Sequence, residues 1–295
     1  MKIPLSLKIF LTLALLGALI LKLNLFEIVR IFLSLNPFYL IVALFLVLVL
    51  YMIRTLRWNL FLRSFSITIP FLQLFKVLLI GTFYGLVTPG KIGELGRAYH
   101  ISEKKVLTIP TIIMEKLVDI CMLVILSLLT IVFFFQNNPV MQIGIFICGI
   151  STILGILLLI NKKIMIFLTR FLNIDQDSCE QFVENFRFLL HNYPLVGYSF
   201  FISLIYYFVA YVVGYLVILS AGFDPIVLIT LPIIVLIGNI PITVSGLGLR
   251  ESIGSIAFVY LGETAANGFV FSFTLFVLIS LIPGLCGYFL TMKEN

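Results

Sequence analysis

Residues 37–53, PFYLIVALFLVLVLYMI, hold no charged side chain, and runs of the same character recur along the whole chain. At ~1.5 Å of rise per residue a helical run of this kind approaches the ~30 Å of a bilayer's hydrocarbon core. Backbone polar groups in hydrocarbon must be satisfied internally, and a helix does this within one segment. Composition points the same way: 62% of residues are hydrophobic and only 11% are charged, against roughly a quarter charged in soluble domains. The sequence therefore predicts an all-α integral membrane protein, a single membrane domain over residues 1–295. The net charge of +6 fits Lys and Arg held in cytoplasmic loops. No basic run or nucleic-acid motif accompanies it.

Six runs read as spans: 9–21, 37–53, 110–135, 140–160, 195–220 and 268–290. The first follows Lys2 and Lys8 and has no small-residue cleavage site after it, so it reads as an uncleaved span. Residues 26–36 continue that helix or lie at the interface. Trp58, beside Arg54 and Arg57, reads as an interface anchor. QNNP at 136–139 is a tight turn. The loop 162–192 carries Phe182, Phe186, Leu189 and Leu190 at helical spacing, with Ser178 and Gln181 placed as a capping box, which predicts a cytoplasmic helix along the membrane surface.

Two apolar stretches are broken. In GTFYGLVTPGKIGELGRAYH, residues 81–100, the run stops at Pro89-Gly90, and a limb too short to span carries Lys91, Glu94 and Arg97. In GNIPITVSGLGLRESIG, residues 238–254, Pro241, Gly246 and Gly248 precede Arg250 and Glu251. If both stretches, 71–101 and 225–262, enter and leave on one face, and the N-terminus is cytoplasmic, 14 of the 19 Lys and Arg fall on the cytoplasmic side. Only Lys22 and Arg30 then lie outside, as the positive-inside bias favours. The expected architecture is six transmembrane helices plus two re-entrant broken-helix hairpins. Span, span, hairpin, span occurs over about 9–135 and again, inverted, over about 140–290. Gly/Pro-interrupted segments at matching places of an inverted repeat point to a transporter's binding site.

Charged groups near a bilayer's centre cost roughly 2.5–3.5 kcal/mol each, so those in the breaks must pair or face a polar cavity. Arg97, Arg250, Glu94, Glu251 and Lys91 are the candidate substrate-binding residues. Pro89, Gly90, Gly93, Pro241, Gly246 and Gly248 are the candidate breaks. Helix N-termini after Gly90 and Gly246 offer N–H groups to an anion. Glu94–Arg97 and Arg250–Glu251 also read as ion pairs that lock the hairpins. Arg57, Glu115, Lys116 and Asp119 are candidates for supporting or ion-coupling roles, with interfacial anchoring as the alternative for Glu115, Lys116 and Asp119. Cys121, Cys148, Cys179 and Cys286, with His100 and His191, have no metal-ligand spacing, so no metal or other cofactor is expected.

RTLRWNLFL (54–62), FYGLVTPGKIGELGRAYHI (83–101), EKLVDI (115–120) and PITVSGLGLRES (241–252) together resemble the lysylphosphatidylglycerol synthase transmembrane-region family. Lys116 departs from the resemblance, since the family more usually carries Arg after that Glu. The resemblance implies lipid translocation or participation in lipid-linked glycan or aminoacyl-lipid pathways. With the two charged breaks, the leading reading is a flippase for a lipid with an anionic or polar headgroup: a phospholipid, an aminoacyl-phospholipid or a polyprenyl-linked lipid. It does not imply synthase chemistry, which in bifunctional relatives belongs to a separate soluble domain. Two other readings stand: a membrane-embedded headgroup transferase, or a non-catalytic subunit of a lipid-linked glycan assembly system. Expected partners are membrane lipids and a lipid-modifying enzyme or glycosyltransferase. The expected location is the cell membrane, with both termini cytoplasmic.

Overall fold

The computed structural model describes residues 23–88, 91–101, 105–134, 176–240 and 242–294, with isolated helical positions between 12 and 19 and between 143 and 150. Pro89, Gly90, Pro241, most of the first span, the span at 140–160, the QNNP turn and the loop up to residue 175 lie outside the described residues. Among the described residues every extended element is helical and there is no strand.

In chain order the helices are α1 (Leu25–Ser34), α2 (Pro37–Arg63), α3 (Phe71–Val87), a 3-10 helix (Ile92–His100), α4 (Lys105–Phe134), α5 (Gln176–His191), α6 (Tyr193–Ala221), a second 3-10 turn (Pro225–Thr230), α7 (Leu231–Gly238), α8 (Leu249–Tyr260) and α9 (Ala265–Lys293). Four of them, α2, α4, α6 and α9, are long and apolar enough to cross a membrane. The apolar helices at 71–87 and 225–238 are shorter, and these belong to the two broken stretches.

The contacts divide the chain into two units. The first comprises residues 1–52, 75–97 and 207–295. Its central wall is α9. Near its start Gly268 packs against the backbone of Gly254 in α8, with Ser272 beside it. Near its end Gly284 and Gly287 let α3 approach, against Leu86 and the backbone of Leu79. Small residues permit such contact between helices in lipid, where dispersion and shape replace the hydrophobic drive. Both broken stretches thus dock on one helix. Between the two docking sites α9 loosens into a π-turn at Val277–Leu281, and Tyr51 donates its hydroxyl to the Ile279 carbonyl at 2.9 Å. Asn36 and Ser220 exchange two hydrogen bonds, of 2.9 and 3.0 Å, tying the start of α2 to the end of α6.

The second unit comprises residues 53–74 and 98–206. Its core joins Phe61 of α2, Met114 and Val118 of α4, and Phe186 and Leu189 of α5. Asn185 donates to the Val106 carbonyl at 3.2 Å. The apolar stripe of α5, expected to face lipid, is therefore spent on α2 and α4. Ser178 lies within α5 rather than at its cap. Trp58 is also corrected: it is fully buried and donates Nε1 to Thr111 Oγ1 at 3.0 Å, so it anchors α2 to α4 and not to an interface. Arg54 and Arg57, expected beyond the end of a span, lie inside α2, which continues to Arg63.

The close packing on α9 makes a direct prediction. Gly268→Val places methyl groups in the space of the Gly254 backbone and should cost about 1–3 kcal/mol, lowering the melting temperature in detergent. Gly197→Ala, where a Cβ meets nothing within 4 Å, should leave it unchanged or slightly raised.

Candidate functional site

The first break is built by small residues of α3 that receive the charged limb. Thr88 Oγ1 accepts from the Gly93 N–H at 2.7 Å and donates to the Tyr84 carbonyl at 2.8 Å. Gly93 lies directly against that carbonyl, leaving no room for a Cβ. Further along, the Glu94 chain lies over Gly85 and the Arg97 chain over Gly81, each with a carbon 2.8 Å from where a Cβ would sit. The pairs 88/93, 85/94 and 81/97 run antiparallel, so the chain reverses direction between Thr88 and Gly93. Lys91 occupies the left-handed region at the reversal (φ 56°). Glu94 and Arg97 are buried, at 3% and 1% exposure.

The second break repeats these contacts. Gly246 lies against the Gly238 carbonyl as Gly93 lies against that of Tyr84. Arg250, four residues after Gly246 as Arg97 is four after Gly93, lays its chain back along Gly238, whose Cβ position is 3.4 Å from the arginine's own Cβ and Nε. Three residues of the turn, Ser245, Gly246 and Gly248, have positive φ. The ends of this stretch also meet: Asp224 N–H donates to Glu263 Oε1 at 3.1 Å. A segment that starts and finishes at one place is a hairpin.

Arg250 donates Nη2 to the Ser245 carbonyl and stacks over Phe276 of α9, 4.8 Å from the ring centroid. That ring adjoins the π-turn, a feature often found at functional sites. Glu251, read from the sequence as an ion-pair partner of Arg250, caps its own helix: its Oε2 accepts from the Gly248 N–H at 2.6 Å. The helix N-termini expected to offer free N–H groups are thus partly spoken for, by Glu251 in α8 and by Thr88 in the first break. The guanidinium groups remain as the cationic feature of each hairpin. Pro89, Gly90 and Pro241, the expected breakers, lie outside the described residues.

A separate cluster joins three membrane-length helices within the second unit. Arg57 donates from Nη1 to Asp119 Oδ1 at 2.5 Å and to Ser203 Oγ at 2.6 Å. From Nη2 it donates to Asp119 Oδ2 at 2.8 Å and Glu115 Oε1 at 3.2 Å. Arg54 Nε also reaches Glu115 Oε1, at 2.8 Å. Arg57 is 1% exposed and Glu115 is fully buried. Two positive and two negative charges balance, and the bidentate Arg57–Asp119 fork is the strong geometry for such a pair. Expected separately as supporting residues, Arg57, Glu115 and Asp119 form one network, with Arg54 and Ser203 as members sequence reasoning missed. Spacing held the signal: Arg54 and Arg57 are three apart and Glu115 and Asp119 four apart, each pair on one helix face. Lys116 has a half-buried place on the same helix.

Paired hairpins docked on one span, each carrying a buried arginine, can be set beside known proteins. A family described as lysylphosphatidylglycerol synthase transmembrane region matches residues 5–287. The chain belongs to this family. The UPF0104 membrane protein of Methanocaldococcus jannaschii is similar, 24% identical over 264 residues, with 79% of this chain and 77% of that protein covered. No solved structure matches the chain. Membership makes this a membrane protein of the lysylphosphatidylglycerol synthase transmembrane family, in accord with its four membrane-length helices.

The ion network predicts a stability hierarchy. Removing one partner of a buried pair strands the other's charge and typically costs 3–5 kcal/mol, so Arg57→Ala or Asp119→Ala should sharply lower the melting temperature in detergent. Arg54→Ala, at the partly exposed rim of the network, should cost distinctly less. A double variant Arg57→Ala/Asp119→Ala should be much less destabilised than the sum of its singles.

Proposed function

We propose that this protein is a lipid carrier that moves a lipid with an anionic or polar headgroup between the leaflets of the cell membrane. Six spans and two re-entrant hairpins form an inverted repeat, both termini are cytoplasmic, and the hairpins enter from opposite faces. Arg97 and Arg250 take the headgroup's anionic oxygens, while the acyl chains stay in the bilayer. Lys91 sits at the first reversal, where it draws anionic headgroups in. Glu94 tempers the charge of the first hairpin.

The observation that carries this reading is the matched placement of the two arginines. Each lies buried on the returning limb of a broken apolar helix, folded back over a glycine of the outgoing limb. A structural lock would need one acid per arginine in direct contact, as the Arg57–Asp119 fork provides. Arg250 has instead a carbonyl and an aromatic face, and its Nε, like that of Arg57, has no hydrogen-bond partner among the described residues. A buried donor left in that state costs about 1–3 kcal/mol, a cost that a transported anion relieves. Membership of the family and the docking of both hairpins on α9 support the same reading.

The test is translocation in proteoliposomes, read by quenching of fluorescent lipids with a membrane-impermeant reductant. Wild-type protein should move anionic or polar-headgroup lipids across the bilayer. Arg97→Ala and Arg250→Ala should each slow this at least tenfold, and Gly197→Ala should not. Rates unchanged in both arginine variants for every lipid moved would refute the assignment.

A further inference from the structure

The second break holds more buried polar atoms than the protein itself satisfies. Within residues 243–255 the Glu251 Oε1, Thr243 Oγ1, Ser245 Oγ, Ser255 Oγ and Arg250 Nε atoms are buried without a hydrogen-bond partner among the described residues. Glu251 is fully buried and Ser255 is 5% exposed. They stand four residues apart on α8 and so share a helix face. Glu251 commits only one oxygen to its helix end.

The surroundings of Glu251 are poor in other charges. Among the described residues, the elements most extensively packed on α8 are α7, the 225–230 turn and the first part of α9, and none of these carries an ionisable side chain. Within residues 225–276 the ionisable groups are Arg250, Glu251, Tyr260 and Glu263. Tyr260 is exposed. Glu263 accepts from the Asp224 N–H and from Asn267 at 2.6 Å, away at the hairpin's ends. The Arg250 guanidinium is thus the one positive side chain on α8 and these neighbours that answers the Glu251 carboxylate. An anionic headgroup on Arg250 neutralises that guanidinium and leaves the carboxylate uncompensated in a dry site, which low dielectric makes expensive. One added monovalent cation restores neutrality. Carbonyls of an unwound segment with acidic and hydroxyl side chains suit Na+ or a proton.

We propose that Glu251, helped by the Ser255 hydroxyl, takes up one monovalent cation, a proton or Na+, with each headgroup that Arg250 binds, so that the hairpin loads both or neither. A proton converts the carboxylate to a carboxyl group and leaves on the other side; Na+ binds and leaves without covalent change. The headgroup half of this statement rests on the carrier reading, and the cation half does not.

Infrared difference spectra of the purified full-length protein test the cation half. One series steps from alkaline to acidic buffer at constant choline chloride, and a second exchanges choline for Na+ at constant pH. The expected result is a protonated-carboxyl band in the first series or a shifted carboxylate band in the second, which separates the two cations. The band should be lost in Glu251→Gln, and in Ser255→Ala its half-saturation should shift at least threefold. Spectra of Glu251→Gln that superimpose on wild type in both series overturn the site. If Glu251→Gln fails to fold, an unshifted midpoint for Ser255→Ala in both series does so. In proteoliposomes the matching ion gradient should speed lipid translocation severalfold for wild type and not for Glu251→Gln. A Glu251-dependent band without translocation of any lipid keeps the cation site and removes the carrier reading; translocation indifferent to both gradients overturns the coupling.

Discussion

A charge or bare backbone group inside hydrocarbon must find its partner within the protein or its cargo, and the rest of the structure follows from how that debt is met. In the second unit it is met by pairing opposite charges, although the Arg57 Nε stays without a hydrogen bond. Arg54 and Arg57 of α2, Glu115 and Asp119 of α4 and Ser203 of α6 close a neutral network of short contacts, and Trp58 adds a buried hydrogen bond to Thr111. In the second hairpin of the first unit it is met in part. Glu251 holds the helix end, Arg250 holds a carbonyl, and one oxygen and one nitrogen of these side chains stay unsatisfied. The two arginines differ in partner rather than in burial: Arg57 faces carboxylates and Arg250 a carbonyl and a ring, while both are almost fully enclosed.

The two hairpins reach a common design with different residues. Each sets a glycine of the returning limb on a carbonyl of the outgoing limb, and each follows four residues later with an arginine laid over a small residue. Their acids differ: Glu94 precedes Arg97 by three positions and lies along α3, while Glu251 follows Arg250 directly and caps α8. The glycine-and-arginine element is thus duplicated, and a carboxylate that caps the helix after the turn belongs to the second hairpin. α9 receives both hairpins, and its π-turn lies between their docking sites, beside the ring that covers Arg250. Such a turn already departs from the regular ladder, and Tyr51 holds one of its carbonyls.

Much of this was legible in the sequence for local reasons. Apolar runs gave the long helices, and glycine and proline marked the breaks. Arg97 and Arg250 stood out because charge is costly in such company. Partners distant along the chain were less legible. The fork between Arg57 and Asp119 joins residues 62 positions apart, and helical spacing could mark the two faces without saying that they meet. Trp58 went astray for the same reason: a tryptophan beside arginines at the end of an apolar run has the pattern of an interface anchor, and only Thr111 across the helix pair decides otherwise. The stripe of α5 had the right period, but period does not reveal whether lipid or protein lies opposite. Glu251 stands three residues after Gly248, the spacing of a carboxylate that reaches back to its own helix start, a signal outweighed by its adjacency to Arg250.

The account depends on each broken stretch returning to the face it entered, with the two entering from opposite faces. Single cysteines in a cysteine-free background, challenged with a membrane-impermeant thiol reagent from either side, measure this directly. Leu72→Cys and Tyr99→Cys should both be labelled from the cytoplasmic side, and Asp224→Cys and Glu263→Cys both from the opposite side. Labelling of the two ends of either stretch from different faces would make that stretch a crossing span and contradict the account.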